Sequence, residues 1–136
     1  MRRSLVHTVR RRAGEACEYC RMPQALYEGP FEIEHVVARQ HHGTTLLENL
    51  ALACPRCNRF KGPNLAGIDA QTGRTVRLFH PRKDRWNEHF AWRGAELVGL
   101  TATGRVTISV LMMNDAEYVR LRGELARSGL FPSGGE

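Results

Sequence analysis

The chain has 136 residues, 42% of them hydrophobic, and 20 Lys plus Arg against 14 Asp plus Glu give it a formal net charge of +6. That length suits one globular domain of ordinary apolar content, and no apolar run approaches the ~18 residues needed to span a bilayer. The basic balance favours a polyanionic partner over a membrane, and Met1-Arg2-Arg3, followed by a short apolar stretch broken by His7 and Arg10 to Arg12, is no secretory leader. A cytoplasmic, reducing compartment is therefore expected.

In chain order, Ser4 to Ala13 reads as a helix, with Ser4 as its cap, Leu5, Val6, Val9 and Ala13 as one apolar stripe, and Gly14 as its stop. Arg10, Arg11 and Arg12 make it a candidate phosphate-binding surface, beside the commoner reading of a solvated charged face. All four cysteines then fall in two C-x-x-C knuckles, Cys17/Cys20 and Cys54/Cys57. Two intervening residues let both sulfurs of a pair reach one tetrahedral ion at ~2.3 Å, so a closed structural zinc site is expected. Disulfides are the alternative, disfavoured where thiols stay reduced. Tyr19 and Tyr27 read as packing around the first knuckle.

Residues 21–53 separate the knuckles, a wider gap than the ~15–20 residues of a simple zinc ribbon. Something further must be housed there. Phe31 to Val37 has the bulky alternation of a strand, Arg39 to Thr45 is a polar loop turning at Gly43, and Leu50 to Ala53 can return as a second short strand. Pro55 suits the first turn of a helix that Gly62-Pro63 stops.

Beyond the second knuckle, Gly62 to Gly73 reads as a loop. A basic cluster follows, Arg74, Arg77, Arg82, Lys83 and Arg85, interleaved with Phe79, His80, Trp86, His89 and Phe90. Such interleaving can grip nucleic acid, although the aromatics fit core anchors better. Glu96 to Leu100 looks like a strand. Alternation of Val106, Ile108 and Val110 favours a hairpin partner over Arg105 to Leu111, while Thr101 could instead cap a helix running to Met112. Asn114 is expected to cap a last helix with Ala116, Val119, Leu121 and Leu125 inward and Gly129 as its stop. Phe131-Pro132 is expected to dock, and Ser133 to Glu136 to form a flexible tail.

Within the gap and the second knuckle, I-E-H-V (Glu34, His35), E-N-L-A-L (Asn49) and C-P-R-C-N-R-F-K-G (Asn58, Lys61) together resemble the HNH endonuclease family. The resemblance covers about residues 14–65, and L-F-H-P-R-K-D-R-W-N-E-H-F resembles an extension that follows this core in one bacterial-type branch. It implies an α+β fold, a ββα-metal core stapled by structural zinc with a C-terminal α/β extension packed on it. The single domain 1–136 divides into a basic helix (1–14), the zinc-bracketed core (15–65), the extension (66–130) and a tail (131–136). Two positions depart from the commonest pattern: Glu34 stands where Asp is usual, and His41-His42-Gly43 where many relatives carry paired glycines.

By resemblance, His35 is the general base, Glu34 and Asn58 hold a catalytic divalent ion such as magnesium or manganese, and Asn49 braces the loop. Phosphodiester hydrolysis asks for these groups in its own right, since it needs a base near neutral pH and a cation for the crowded phosphate charge. Lys61, Arg39, Arg56 and Arg59 join Arg10, Arg11 and Arg12 as expected nucleic-acid contacts. A regular strand aims neighbours at opposite faces, so this one must end or bulge near His35. The expected activity is metal-dependent DNA cleavage, with an RNA-directed nuclease or a non-catalytic zinc module for nucleic acid or protein as alternatives. Cutting both strands of a duplex needs two sites or two visits, which admits a homodimer.

Overall fold

The structure is a computed structural model that describes residues 1–132; the expected tail at 133–136 lies outside the described residues. Helix α1 spans Arg3–Arg12 and buries Val9. Ser4 lies inside it rather than at its cap, which falls at Arg2 without a side-chain bond. The first knuckle follows, and Cys17 N–H donates to the Met22 carbonyl to close its turn.

Strands β1 (Glu32–His35) and β2 (Leu50–Ala53) pair antiparallel, with Glu34 opposite Ala51 and His35 opposite Leu50. All four residues of β2 are fully buried, as its uninterrupted apolar run requires. Helix α2 (Pro55–Lys61) starts with Pro55 in its first turn and with Cys54 as cap, the sulfur accepting from Cys57 N at 3.4 Å. Its C-cap, Gly62, has a φ of +49°, which a residue without Cβ adopts readily. These three elements form the ββα unit expected between and across the knuckles.

The extension differs from expectation in three places. The segment read as a loop holds strand β3 (Ala66–Ile68), which pairs with β4 (Thr75–Arg77). Gly67 belongs there because a Cβ would lie 2.7 Å from Val110 and 2.9 Å from Val106, so its absence lets the next helix close on the hairpin. A four-residue helix, α3 (Trp86–His89), leads into β5 (Phe90–Arg93), and β5 pairs with β6 (Glu96–Gly99).

The alternation at Val106, Ile108 and Val110 does not make a strand. Helix α4 (Ala102–Val110) stands there, capped by Thr101, whose Oγ1 accepts from Gly104 N at 3.0 Å. Tertiary packing overrides the β-branched preference: Gly99 and Gly104 bring α4 so close that a Cβ on Gly104 would sit 2.1 Å from the His89 carbonyl oxygen. Helix α5 (Ala116–Arg127) is capped by Asp115, not Asn114. Asn114 is already committed, bonding both the N–H and the carbonyl of Leu97 at 2.8 Å. Tyr118 and Arg122 are the buried positions of α5, while Ala116 is exposed. Gly129, with φ +73°, follows the helix end.

One buried cluster spans both halves of the chain, from Val9 and the cysteines to Phe79, Trp86, Phe90 and Tyr118. Trp86 meets the rings of Phe90 and Trp92 in tilted contacts at 5.2 and 5.8 Å, and Phe131 docks edge-on to Trp92 at 5.0 Å. The extension thus covers the metal-knuckle half, and Trp86 Nε1 donates to the Tyr19 carbonyl at 2.7 Å inside the first knuckle. Among the described residues no helix is long and apolar enough to cross a membrane.

Candidate active site and metal centre

Cys17, Cys20, Cys54 and Cys57 are all buried, and their sulfurs lie within 4.8 Å of one another. None is in a disulfide. The Cys20–Cys54 sulfur separation of 3.8 Å matches the edge of a tetrahedron with arms of about 2.3 Å, the Zn–S length. The donor set therefore fits a single thiophilic ion in a closed, structural site. Backbone N–H groups of Cys20 and Cys57 point at Cys17 and Cys54 sulfurs, and the Tyr118 hydroxyl donates to Cys54 Sγ at 3.2 Å. Burial and the adjacent sulfurs push the Tyr118 phenol pKa far up, which keeps its proton available for that bond.

Strand β1 ends at His35, but without a bulge: Glu34 and His35 are both still in regular register, opposite Ala51 and Leu50, and so keep the opposite-face directions of a regular strand. Glu34 faces inward, 6% exposed, and His35 the other way. Tyr19 donates its hydroxyl to Glu34 Oε1, and the Lys61 ammonium lies 3.3 Å from Glu34 Oε2. Burial raises the Glu34 pKa, while the Lys61 charge and the Tyr19 hydroxyl pull it back. His35 Nε2 lies 2.9 Å from Thr45 Oγ1. Partial burial and the Arg39 charge lower the His35 pKa, so its imidazole is neutral, and able to accept a proton, at neutral pH.

Asn49 sits at the end of a single 3-10 turn, Leu47–Asn49, just before β2. Its Oδ1 accepts from Val37 N at 2.9 Å, and its Nδ2 donates to the carbonyls of Val37 and Thr44 at 2.9 and 2.8 Å. The asparagine staples both ends of the 37–44 loop that carries on from His35. Gly43 completes the fit, because a Cβ there would fall 1.7 Å from the Val37 carbonyl oxygen. His41 and His42 are exposed on this loop.

Asn58 is half-buried on α2, one helical turn before Lys61, and so on the helix face that meets Glu34. No hydrogen bond links it to Glu34 or His35 among the described residues. Glu34 and Asn58 offer a carboxylate and an amide oxygen, the donor chemistry a magnesium- or manganese-type ion prefers.

The basic residues divide. Arg11, Arg12, Arg39 and Arg59 are exposed, but Arg12 also donates to the carbonyls of Leu47, at 2.7 Å, and Leu50, and half-buried Arg10 donates to the Phe31 carbonyl at 3.1 Å. Arg56 pairs with Asp115 at 3.4 Å and lies over the rings of Phe60 and Tyr118. Lys61, expected at a phosphate, turns inward instead: it is 1% exposed and donates to the Val36 carbonyl at 2.8 Å. Two partners escaped the sequence reading. Tyr19 reads from sequence as packing around the knuckle and Thr45 as the end of a polar loop, yet they hold Glu34 and His35. His80 and Lys83 line a cleft of about 530 Å³ together with Val37, Lys61 and Asn64. His89 is held by Thr101 at 2.6 Å.

Residues 17–64 match the family model described as HNH endonuclease. The matched segment runs from the first cysteine through the ββα unit, and the match supports a nuclease or another nucleic-acid-related function. No curated protein and no solved structure matches the chain.

Proposed function

We propose that the protein is a metal-dependent DNA endonuclease that hydrolyses phosphodiester bonds, with zinc in the four-cysteine site as a structural staple. The observation that carries this reading is the end of β1: His35, its pKa lowered, is the last residue of the strand, and its chain neighbour Glu34 is a carboxylate buried on the opposite side, against Lys61 of α2. A scaffold has no need of that pairing, since an inward carboxylate costs desolvation and must be compensated by Lys61 and Tyr19.

His35 takes the proton of the attacking water, its other ring contact to Thr45 fixing the imidazole's direction. Asn49 holds the loop against which His35 rests. Glu34 and Asn58 would hold the divalent ion, which supplies charge stabilisation to the crowded phosphate and the departing oxygen. Exposed Arg11, Arg39 and Arg59 offer phosphate contacts, in keeping with the +6 charge. The products carry a 5′ phosphate and a 3′ hydroxyl.

The test is plasmid relaxation and linearisation by zinc-loaded protein over magnesium, manganese, nickel and zinc, with His35→Ala prepared in parallel. Cutting that needs the added metal and disappears in His35→Ala, with zinc content and fold retained, supports the reading. Equal cutting by both proteins points to another site or a contaminant. Salt-sensitive DNA binding without cutting favours the non-catalytic zinc module, and preferential cutting of single-stranded RNA redirects the substrate class.

A further inference from the structure

Lys61 is the least expected feature of the centre. Lysine is almost never fully buried unless paired, yet this ammonium is 1% exposed, deep between α2 and β1. Its short bond, 2.8 Å, goes to the Val36 carbonyl; its approach to Glu34 Oε2, at 3.3 Å, is longer than the ~2.7–2.9 Å of a close charge-assisted bond. The carbonyl therefore anchors the ammonium, and the carboxylate is neutralised by proximity. Glu34 Oε1 is occupied from the other side by Tyr19. Both carboxylate oxygens thus have a partner already, and Oε2 is the one with a cation beside it.

We infer that Lys61 is the resident cation of the Glu34 carboxylate, and that its ammonium competes with the divalent ion there, setting how much metal the protein needs. The inference rests on Glu34 being the ion's carboxylate, as proposed above. An ammonium tied to the Val36 carbonyl cannot leave by a simple rotamer change without orphaning both partners, so an incoming ion must share Glu34 with it. Even at an effective dielectric of about 20, a unit charge and a divalent ion a few ångströms apart repel by more than a tenfold difference in affinity. The arrangement offsets the charge of a buried carboxylate when no ion is bound, and holds ion binding weak until substrate phosphate adds its own negative charge.

The experiment titrates Mn2+ into the zinc-loaded full chain without DNA, followed by calorimetry or by the electron paramagnetic resonance signal of free Mn2+. Lys61→Gln keeps an N–H donor for the Val36 carbonyl but removes the charge, and should bind Mn2+ at least tenfold more tightly than wild type. Lys61→Arg keeps the charge and should bind no more tightly than wild type. Unchanged or weaker binding by Lys61→Gln, or no binding by any of the three, overturns the inference. Should Lys61→Gln fail to fold, the wild-type 15Nζ resonance of Lys61 decides: Mg2+ must shift it, and a resonance that stays still refutes the competition. Plasmid cutting is read separately. A wild type that cuts DNA while Lys61→Gln shows no gain in affinity sinks this inference and leaves the nuclease; tighter Mn2+ binding in a protein that cuts nothing upholds the competition and sinks the nuclease alone.

Discussion

Replacing Asn49 with alanine should show how far one side chain holds the loop beside His35. The amide makes three hydrogen bonds, to the N–H and carbonyl of Val37 and to the carbonyl of Thr44, and is 7% exposed. At about 1 kcal/mol net for each bond the sum is about 3 kcal/mol. Thr44 is exposed and its carbonyl can be rehydrated, which brings the expected loss to about 2 kcal/mol. For a chain of this size that is a fall of roughly 5–8 °C in melting temperature. Urea unfolding at fixed zinc concentration gives the free energy, and the Val37 amide, whose acceptor is removed, should exchange its hydrogen faster. Asn49→Asp sharpens the comparison, because a carboxylate can accept from Val37 N but cannot donate to the two carbonyls, so at pH 7 it should lose at least as much as alanine. A loss under about 0.5 kcal/mol in Asn49→Ala, with unchanged exchange at Val37, would refute the staple.

Gly43→Ala should be more damaging than an ordinary loop substitution, since its Cβ would fall 1.7 Å from the Val37 carbonyl oxygen and 2.8 Å from Asn49 Nδ2. We expect a loss above about 2 kcal/mol in the same urea assay, and a neutral result would mean that the loop can re-form elsewhere. Tyr118→Phe removes the hydroxyl on Cys54 Sγ and should weaken zinc affinity about tenfold, read by transfer to a chromophoric chelator. Asp69 supplies the pH test. Arg105 grips it through two bonds of 3.0 Å and holds its pKa down to about 2 from the ordinary 3.8. Because the folded value is the depressed one, this contribution is present above pH ~4 and is lost as pH falls towards 2. Arg105→Leu should therefore flatten the acid side of the stability curve between those values, and an unchanged slope would assign the acid sensitivity to other carboxylates.

What the sequence made legible follows from how local each signal is. The cysteine spacing, the apolar run Leu50–Ala53, Pro55 at a helix start and Gly62 at its end all act within a few residues, and each lies where the pattern put it. The extension was less readable because its decisive contacts are distant. Gly67 looks like a loop residue until Val106 and Val110 of α4 are brought against it, and the alternating Val106, Ile108 and Val110 look like a strand until Gly104 meets the His89 carbonyl. Asn114 and Asp115 are equally good caps in sequence; Leu97 decides between them by occupying the first. At the centre, Glu34 and His35 were nameable from their motif, but the direction of Lys61 was not. A lysine three residues after Asn58 fits an outward phosphate contact as well as an inward one, and only the Val36 carbonyl and the buried carboxylate settle which way it turns.

The hydroxyl that covers Cys54 comes from a residue 64 positions later in the chain. During synthesis all four thiols are therefore made well before Tyr118 and the rest of α5 exist. A nascent chain can capture its metal in an open bowl, and the lid arrives afterwards. A chain cut just before α5 keeps all four thiols but loses the hydroxyl on Cys54 Sγ, and it should give up its ion to a chelator faster than the full chain.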